Sequence, residues 1–252
     1  MNPVWRLIGF ETFDGRTNMA IDQAIMESVS AGGPPTLRFY GWNQATLSLG
    51  YFQSHAEIPA DCVMPRVRRT TGGGAIVHDR ELTYSLTLPL PPGHTGARRD
   101  LYVAIHSAIS DVLQRRGITT ATYESNVSSG SSQIANSDRQ EPFLCFRRRA
   151  EQDLICSDYK VLGSAQRHNR GAFLQHGSLL LSVSPAAPAL PGLSELTGQR
   201  IEATAIASEW GDVIADHSQA TLQQGELTAG ELDRALQLAS ERFGNDDWTL
   251  RR

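Results

Sequence analysis

The sequence predicts an α+β fold in a single domain: a mixed, mostly antiparallel central sheet flanked by helices. Three observations carry this. Extended, β-rich segments outnumber helical ones and are interspersed with them. Several neighbouring extended segments are separated only by short turn signals, which favours antiparallel pairing over helical crossovers. A chain of 252 residues without an internal repeat suits one large domain, or one domain with a small appendage.

Taken in order, Val4 to Phe10 reads as a short strand. Asn18 is placed to cap a helix whose Ala20, Ile21, Ala24, Ile25 and Val29 share one face. Gly32-Gly33-Pro34-Pro35 stops that helix. Thr36 to Tyr40 and Thr46 to Tyr51 flank the turn signal Gly41-Trp42-Asn43-Gln44 and are expected to pair antiparallel. Trp42 is then either a core residue or the wall of an apolar pocket. Val63 to Thr70 leads into a glycine run, and Leu82 to Leu88 alternates as a strand. Pro89 to Gly96 is a loop. Leu101 to Arg116 is a helix with Leu101, Ile105, Ala108, Ile109 and Val112 inward and Gly117 closing it.

The serine-rich stretch after Glu124 is too polar to bury much surface, so residues 125–141 are expected to form a mobile surface loop within the domain. Leu154 to Cys156 and Tyr159 to Leu162 form a tight hairpin around Ser157-Asp158. Ala172 to Leu181 is a strand, and Pro185 to Pro191 is a loop. Thr228-Ala229-Gly230-Glu231 has the capping-box form and opens a helix with the apolar stripe Leu232, Ala235, Leu236, Ala239 and Phe243. Trp248 to Arg252 carries no strong signal.

A net charge of −4 provides no global attraction to nucleic acid or anionic membranes. No apolar run approaches the roughly 20 residues that span a bilayer, and the first residues lack the pattern of a secretory signal. Cys62, Cys145 and Cys156 are an odd set without metal-type spacing, which points to reduced thiols in a cytoplasm.

Chemistry concentrates in a few places. Arg68-Arg69-Thr70-Thr71-Gly72-Gly73-Gly74-Ala75 sets three glycines beside two fixed cations. Such a run is either a turn between strands or a backbone cradle that aims amides at an oxygen or phosphate. His78-Asp79 follows, and strand alternation lets only one of the two face a pocket on the glycine side. Lys160 precedes Gly163-Ser164-Ala165, either solvated or held as a point charge for an anion or developing oxyanion. Cys145 lies among apolar residues but just before Arg147, Arg148 and Arg149, and nearby cations favour the nucleophilic thiolate of a cysteine. His176 sits beside Gly177 as a candidate base or a satisfied core histidine.

These segments resemble the lipoate–protein ligase and octanoyltransferase superfamily, which also includes the biotin–protein ligase catalytic domain. The resemblance is carried by Arg68 through Asp79, by Lys160-Val161-Leu162-Gly163-Ser164-Ala165-Gln166, and by Phe173 through Leu181. Asn18 through Ala24 and Gly41-Trp42 through Gly50-Tyr51 fit in the same order. The resemblance implies a mixed sheet with an acyl pocket beside the glycines. Arg69, Thr71, Gly72, Gly73, Gly74, Ala75 and His78 would line it, with Gly163, Ser164, Ala165, Gln175, His176 and Gly177.

Two enzyme classes share this scaffold. An octanoyltransferase takes octanoate from acyl carrier protein onto a cysteine and passes it to the lysine of a lipoyl domain. It needs no cofactor and no metal. A ligase activates lipoate with ATP and Mg2+. Cys145-Phe146, just upstream of the lysine motif, and His78 through Ser85 resemble the transferase, whereas Gly74 resembles the ligase. The expectation is therefore a cytoplasmic octanoyltransferase with Cys145 as nucleophile and Lys160 orienting the acyl carbonyl. Its partners would be octanoyl-acyl carrier protein and lipoyl-domain acceptors, with no nucleic acid or membrane. The ATP-dependent ligase is the alternative, and a non-catalytic acyl-binding module the third possibility.

Overall fold

The computed structural model describes residues 2–90, 99–123, 142–169 and 171–252. The predicted loop at 125–141 and most of the loop after Pro89 lie outside the described residues.

The first strand, β1 (Val4–Phe13), leads into helix α1 (Gly15–Ser30). Asp14, not Asn18, caps α1, accepting from the Thr17 amide at 2.8 Å. Gly15, Arg16 and Thr17 carry no apolar signal, so the amphipathic stripe starts a turn later than the helix. Asn18 is buried instead, donating to the carbonyl of Gly41 at 3.0 Å and accepting from Arg38 Nη2 at 2.7 Å.

Strand β2 (Thr36–Trp42) and strand β3 (Thr46–Leu49) do not form the expected antiparallel pair. Gly41 and Trp42 extend β2 alongside β1, where Trp42 is in register with Phe13. A Cβ at Gly41 would stand 3.0 Å from the Thr12 methyl and 3.1 Å from the Phe10 ring. The glycine therefore marks close strand packing, and the chain leaves the main sheet only after Trp42. β3 enters a second sheet, parallel to β4 (Arg66–Arg68) and antiparallel to β5 (Ile76–His78).

The remaining elements are β6 (Glu81–Pro89), α2 (Arg99–Arg115), β7 (Ala121–Thr122), β8 (Leu154–Cys156), β9 (Tyr159–Asn169), β10 (Ala172–Leu180), α3 (Leu193–Thr197), α4 (Ala203–His217), β11 (Thr221–Gly225), α5 (Ala229–Leu238) and α6 (Asp246–Thr249). Among the described residues the main sheet has eight strands in the order β11-β1-β2-β6-β10-β9-β8-β7. Only β11–β1–β2 run parallel, so the sheet is mixed and mostly antiparallel, as expected. The β8–β9 turn places Ser157 (φ 45°) and Asp158 (φ 67°) in the left-handed region, the conformation a tight two-residue hairpin demands.

Helices cover both faces of the sheet. α2 and α4 bury Ile105, Ile109, Trp210 and Ile214 against Leu37, Phe39, Tyr84 and Leu86. α1 and α5 bury Ile21, Ile25, Ala235 and Leu238 against Tyr40, Ala172 and Leu174. Trp42, left open between core and pocket, is buried in this second core. The predicted capping box holds: Thr228 Oγ1 accepts from the Glu231 amide at 3.2 Å and Glu231 accepts from the Thr228 amide at 2.8 Å. Glu231 also grips Arg6 of β1 through two 2.7 Å bonds, tying α5 to the parallel edge of the sheet. No helix among the described residues is long and apolar enough to cross a membrane.

Candidate active site

The glycine stretch joins β4 to β5 and faces the main sheet across a cleft. Its geometry is set from beneath by the arginine pair. Arg68 donates to the carbonyls of Gly50, Gln53 and Thr249 at 2.7–2.8 Å. Arg69 donates to the carbonyls of Gly72 and Gly74 at 2.7 Å and of Ser48 at 3.0 Å. Both guanidiniums are buried and committed to backbone oxygens. They brace the loop from inside and are not an open pair of phosphate-binding cations. Burial pulls Arg69 down to about 10, so it still carries its charge at neutral pH. Gly73 adopts φ 91°, and its carbonyl lies only 2.0 Å from where a Cβ on Gly50 would stand, so both positions exclude a side chain.

Cys145 is stitched to this stretch. Its amide donates to the Ala75 carbonyl at 2.7 Å, and the Ala75 amide donates to the Phe143 carbonyl at 2.9 Å. Gly74 packs under the same segment, where an added Cβ would meet Arg148 Nε at 2.8 Å. Cys145 stands half-buried at the start of a single helical turn and lines the cleft. Lys160 Nζ reaches to 3.9 Å from Cys145 Sγ. Lys160 is buried, paired with Asp153 at 2.8 Å, and its tip lies over Gly163, where a Cβ would come within 2.7 Å of Nζ. Asp153 is itself held by the Ala150 amide at 2.7 Å and Tyr102 at 3.2 Å.

The cleft is narrow, with a cavity volume of about 50 Å3, and is partly open to solvent. Of the predicted residues, Arg69, Gly72, Gly73, His78, Cys145, Gly163, Ser164, Ala165, His176 and Gly177 line it. Met19, Ile76 and Phe146 contribute apolar surface that suits a hydrocarbon chain, and Tyr40, Thr83 and Ser178 contribute polar atoms; sequence reading proposed none of these six for the cleft. Thr71, Gly74 and Ala75 stand behind the lining. Thr71 bonds His176 Nε2 at 2.7 Å, and the other ring nitrogen of His176 faces Asp22 at 3.5 Å. Burial works against the Asp22 carboxylate, but His176, Arg38 and Ser85 outweigh it and hold the group below its ordinary range. Tyr40 completes the set with a 2.9 Å bond to Asp22.

Of the His78-Asp79 pair, only His78 faces the cleft, as alternation requires. It stacks on Trp42 at 3.8 Å and bonds Glu81 through Nδ1. Burial lowers its proton affinity, with Glu81 opposing. Asp79 turns away to accept from Ser184 at 2.7 Å.

Gln175 does not line the cleft. In β10, Leu174, His176 and Ser178 point to the α1 side, and Gln175 and Gly177 to the opposite face. Gln175 donates to Tyr84 Oη at 2.7 Å and accepts from Gln166 at 2.7 Å. Tyr84 continues to the Ser164 hydroxyl at 2.7 Å, Ser164 to His106 Nε2 at 2.7 Å, and His106 Nδ1 donates to the Gln152 carbonyl at 2.7 Å. The Ser164 side chain thus belongs to this rear chain. Burial drives His106 down to about 3, so the ring is neutral and the donor order runs one way along it.

The site thus sets a half-buried thiol beside a buried ammonium, along an apolar cleft walled by glycines. The chain belongs to the lipoyl protein ligase A/B catalytic domain family, which matches residues 14–200. Along nearly its whole length it is similar to octanoyltransferase LipM of Kyrpidia tusciae, 33% identical over 98% of this chain and 99% of the relative. LipM of Moorella thermoacetica is likewise 33% identical, over 98% of each chain. In fold it matches a lipoate-protein ligase A bound with ATP, with a TM-score of 0.77, 19% identity and 99% of both chains covered. It also matches a bipartite lipoate protein ligase from Thermoplasma acidophilum, with a TM-score of 0.75, 18% identity and 98% and 96% covered.

Proposed function

We propose that the protein is an octanoyltransferase of protein lipoylation that works through a thioester on Cys145. The activity class follows from full-length similarity to octanoyltransferases. The mechanism rests on one observation: Lys160 Nζ lies 3.9 Å from Cys145 Sγ beside the glycine stretch. The Cys145 thiolate attacks the carbonyl of octanoyl-acyl carrier protein. The carrier's C–S bond breaks, its thiolate leaves and takes up a proton, and the octanoyl group stays on Sγ as a new thioester. The neutral amine of a lipoyl-domain lysine then attacks, an amide forms, the amine loses a proton, and the Cys145 thiolate is restored. Lys160 supports the carbonyl oxygen as it becomes negative. Asp153 fixes the position of that ammonium. The octanoyl chain lies along Met19, Ile76 and Phe146.

The donor thioester already carries the activation, so this route needs neither ATP nor Mg2+. The arginine pair agrees with that reading, because both guanidiniums are buried and hold backbone carbonyls of the loop. Mass spectrometry after incubation with octanoyl-acyl carrier protein tests the proposal. The wild type gains one octanoyl group and Cys145→Ala gains none. An unmodified wild type, or an equal gain in Cys145→Ala, overturns it. Lipoate-dependent pyrophosphate release would identify an ATP-dependent ligase, and tight ligand binding without modification of a lipoyl domain would identify a non-catalytic module.

A further inference from the structure

The chain carries a net charge of −4, yet one rim beside the glycine stretch is built of cations on aromatic faces. The Arg251 guanidinium is sandwiched 3.9 Å from the Tyr51 ring and 4.1 Å from the Trp248 ring. Arg167 lies 5.1 Å over Tyr51, and Arg252 lies 5.4 Å over Phe52. Several arginines elsewhere are neutralised: Arg6, Arg38, Arg116 and Arg234 each grip a carboxylate at 2.6–2.9 Å, whereas Arg68 and Arg69 are buried on backbone carbonyls. Among the described residues, Arg167, Arg251 and Arg252 have no Asp or Glu carboxylate within salt-bridge reach. Phe52 is 69% exposed, an unusual state for a large apolar ring.

The rim is continuous with the active cleft. Arg167 donates to the Thr70 carbonyl at 2.6 Å, and the Tyr51 amide donates to the Thr71 carbonyl at 2.8 Å. Gly73 lines both the acyl cleft and an outer groove that runs past Phe143 and Arg148 to Phe52. On the groove itself Arg148 and Glu57 balance, and the rim adds Arg167, Arg251 and Arg252.

We propose that Tyr51, Phe52, Arg167, Arg251 and Arg252 form the docking surface for the acyl donor, an acidic carrier protein whose thioester hangs on a phosphate-linked arm. The inference rests on the octanoyltransferase reading. The charge of the rim complements the donor, whose thioester arm carries an anionic phosphate; docking of the acceptor is the competing outcome of the test. The aromatic faces hold the guanidiniums in place before binding, which limits the entropy lost on contact and leaves an apolar ring for the arm or the carrier helix to cover. Steering by such a rim raises the encounter rate and makes it sensitive to salt.

The test separates the half-reactions. Single-turnover acylation of Cys145 is measured with octanoyl-acyl carrier protein and with octanoyl-N-acetylcysteamine, a small thioester without phosphate. Transfer from preformed octanoyl-enzyme to a lipoyl domain is measured separately. Arg251→Gln/Arg252→Gln is expected to slow acylation from the carrier by about tenfold or more and to flatten its salt dependence. The small thioester and the second half-reaction should keep wild-type rates. Arg252→Glu alone, at an exposed side chain, repeats the measurement should the double variant fold poorly. Apo-carrier without its arm should compete with octanoyl-carrier for the wild type and less for the variants. Unchanged carrier kinetics, an equal loss with the small thioester, or a loss confined to the lipoyl-domain step overturns the inference, the last reassigning the rim to the acceptor. A wild type that acylates with neither donor would instead sink the octanoyltransferase reading itself.

Discussion

Two hydrogen-bonded networks sit back to back on β6, β9 and β10. On the cleft face, Asp22 gathers Arg38, Tyr40, Ser85 and His176, and His176 passes the order on to Thr71 of the glycine loop. On the rear face, Gln166, Gln175, Tyr84, Ser164 and His106 form a single neutral chain that ends on the Gln152 carbonyl. The first contains formal charges and borders the reacting atoms. The second contains none and pins the strands on which the cleft is built. Neighbouring residues of one motif therefore do different work: His176 shapes the cleft, and Gln175 fastens the sheet behind it. Strand alternation makes that division, and a motif read as a string cannot show it.

The separation can be broken or sharpened by substitution. The largest effect is expected at Lys160→Met, which removes the cation beside Cys145 and should slow octanoyl-enzyme formation about 10²–10³-fold in a single-turnover assay. A rate within threefold of wild type would remove Lys160 from the mechanism. Asp22→Ala leaves Arg38 buried without its carboxylate and should cost about 3–5 kcal/mol in urea unfolding. Gln175→Leu breaks only the rear chain. It should cost about 1–3 kcal/mol by leaving Tyr84 and Gln166 short of a partner. Its KM for octanoyl-carrier should stay within about twofold of wild type, and a selective rise in KM would return Gln175 to the substrate.

The smallest effect is a pH dependence. His106 is held near 3 in the fold by burial, against an ordinary value of 6.5. Above pH 6.5 the ring is neutral in both states and contributes nothing. Below it only the unfolded chain takes up the proton, so stability falls as the pH drops from 6.5 toward 3. Between pH 6.5 and 5.5 this amounts to about 1 kcal/mol. His106→Gln should flatten that part of a thermal-melt titration. An unchanged slope would show that the rear network does not keep the ring neutral.

Local signals are legible in the sequence where the chemistry is local. The capping box at Thr228, the left-handed Gly117 and the Ser157-Asp158 turn all appear as expected. The misses have physical causes. α4 carries a helical stripe of Ile206, Ala207, Trp210, Val213 and Ile214, outside the elements expected from the sequence. β11 is a short, largely exposed strand whose identity comes from pairing with β1 and not from its own composition. Asp153 and Asp22 are single carboxylates in sequence. Each acquires its role from partners on other elements: Lys160 and Tyr102 for one, Arg38, Tyr40, Ser85 and His176 for the other.

By itself the sequence determined the α+β class, the glycine wall and the two residues, Cys145 and Lys160, on which the proposed chemistry rests. Those depend on backbone freedom at glycine, on strand and helix periodicity, and on residue types whose reactivity is intrinsic. Tertiary structure decided which way each side chain faces and what it touches. It turned Arg68 and Arg69 inward as braces, sent Gln175 to the rear face, and brought Lys160 to 3.9 Å from Cys145. Burial and long-range pairing set those outcomes, and neither is a property of a residue's immediate neighbours in the chain.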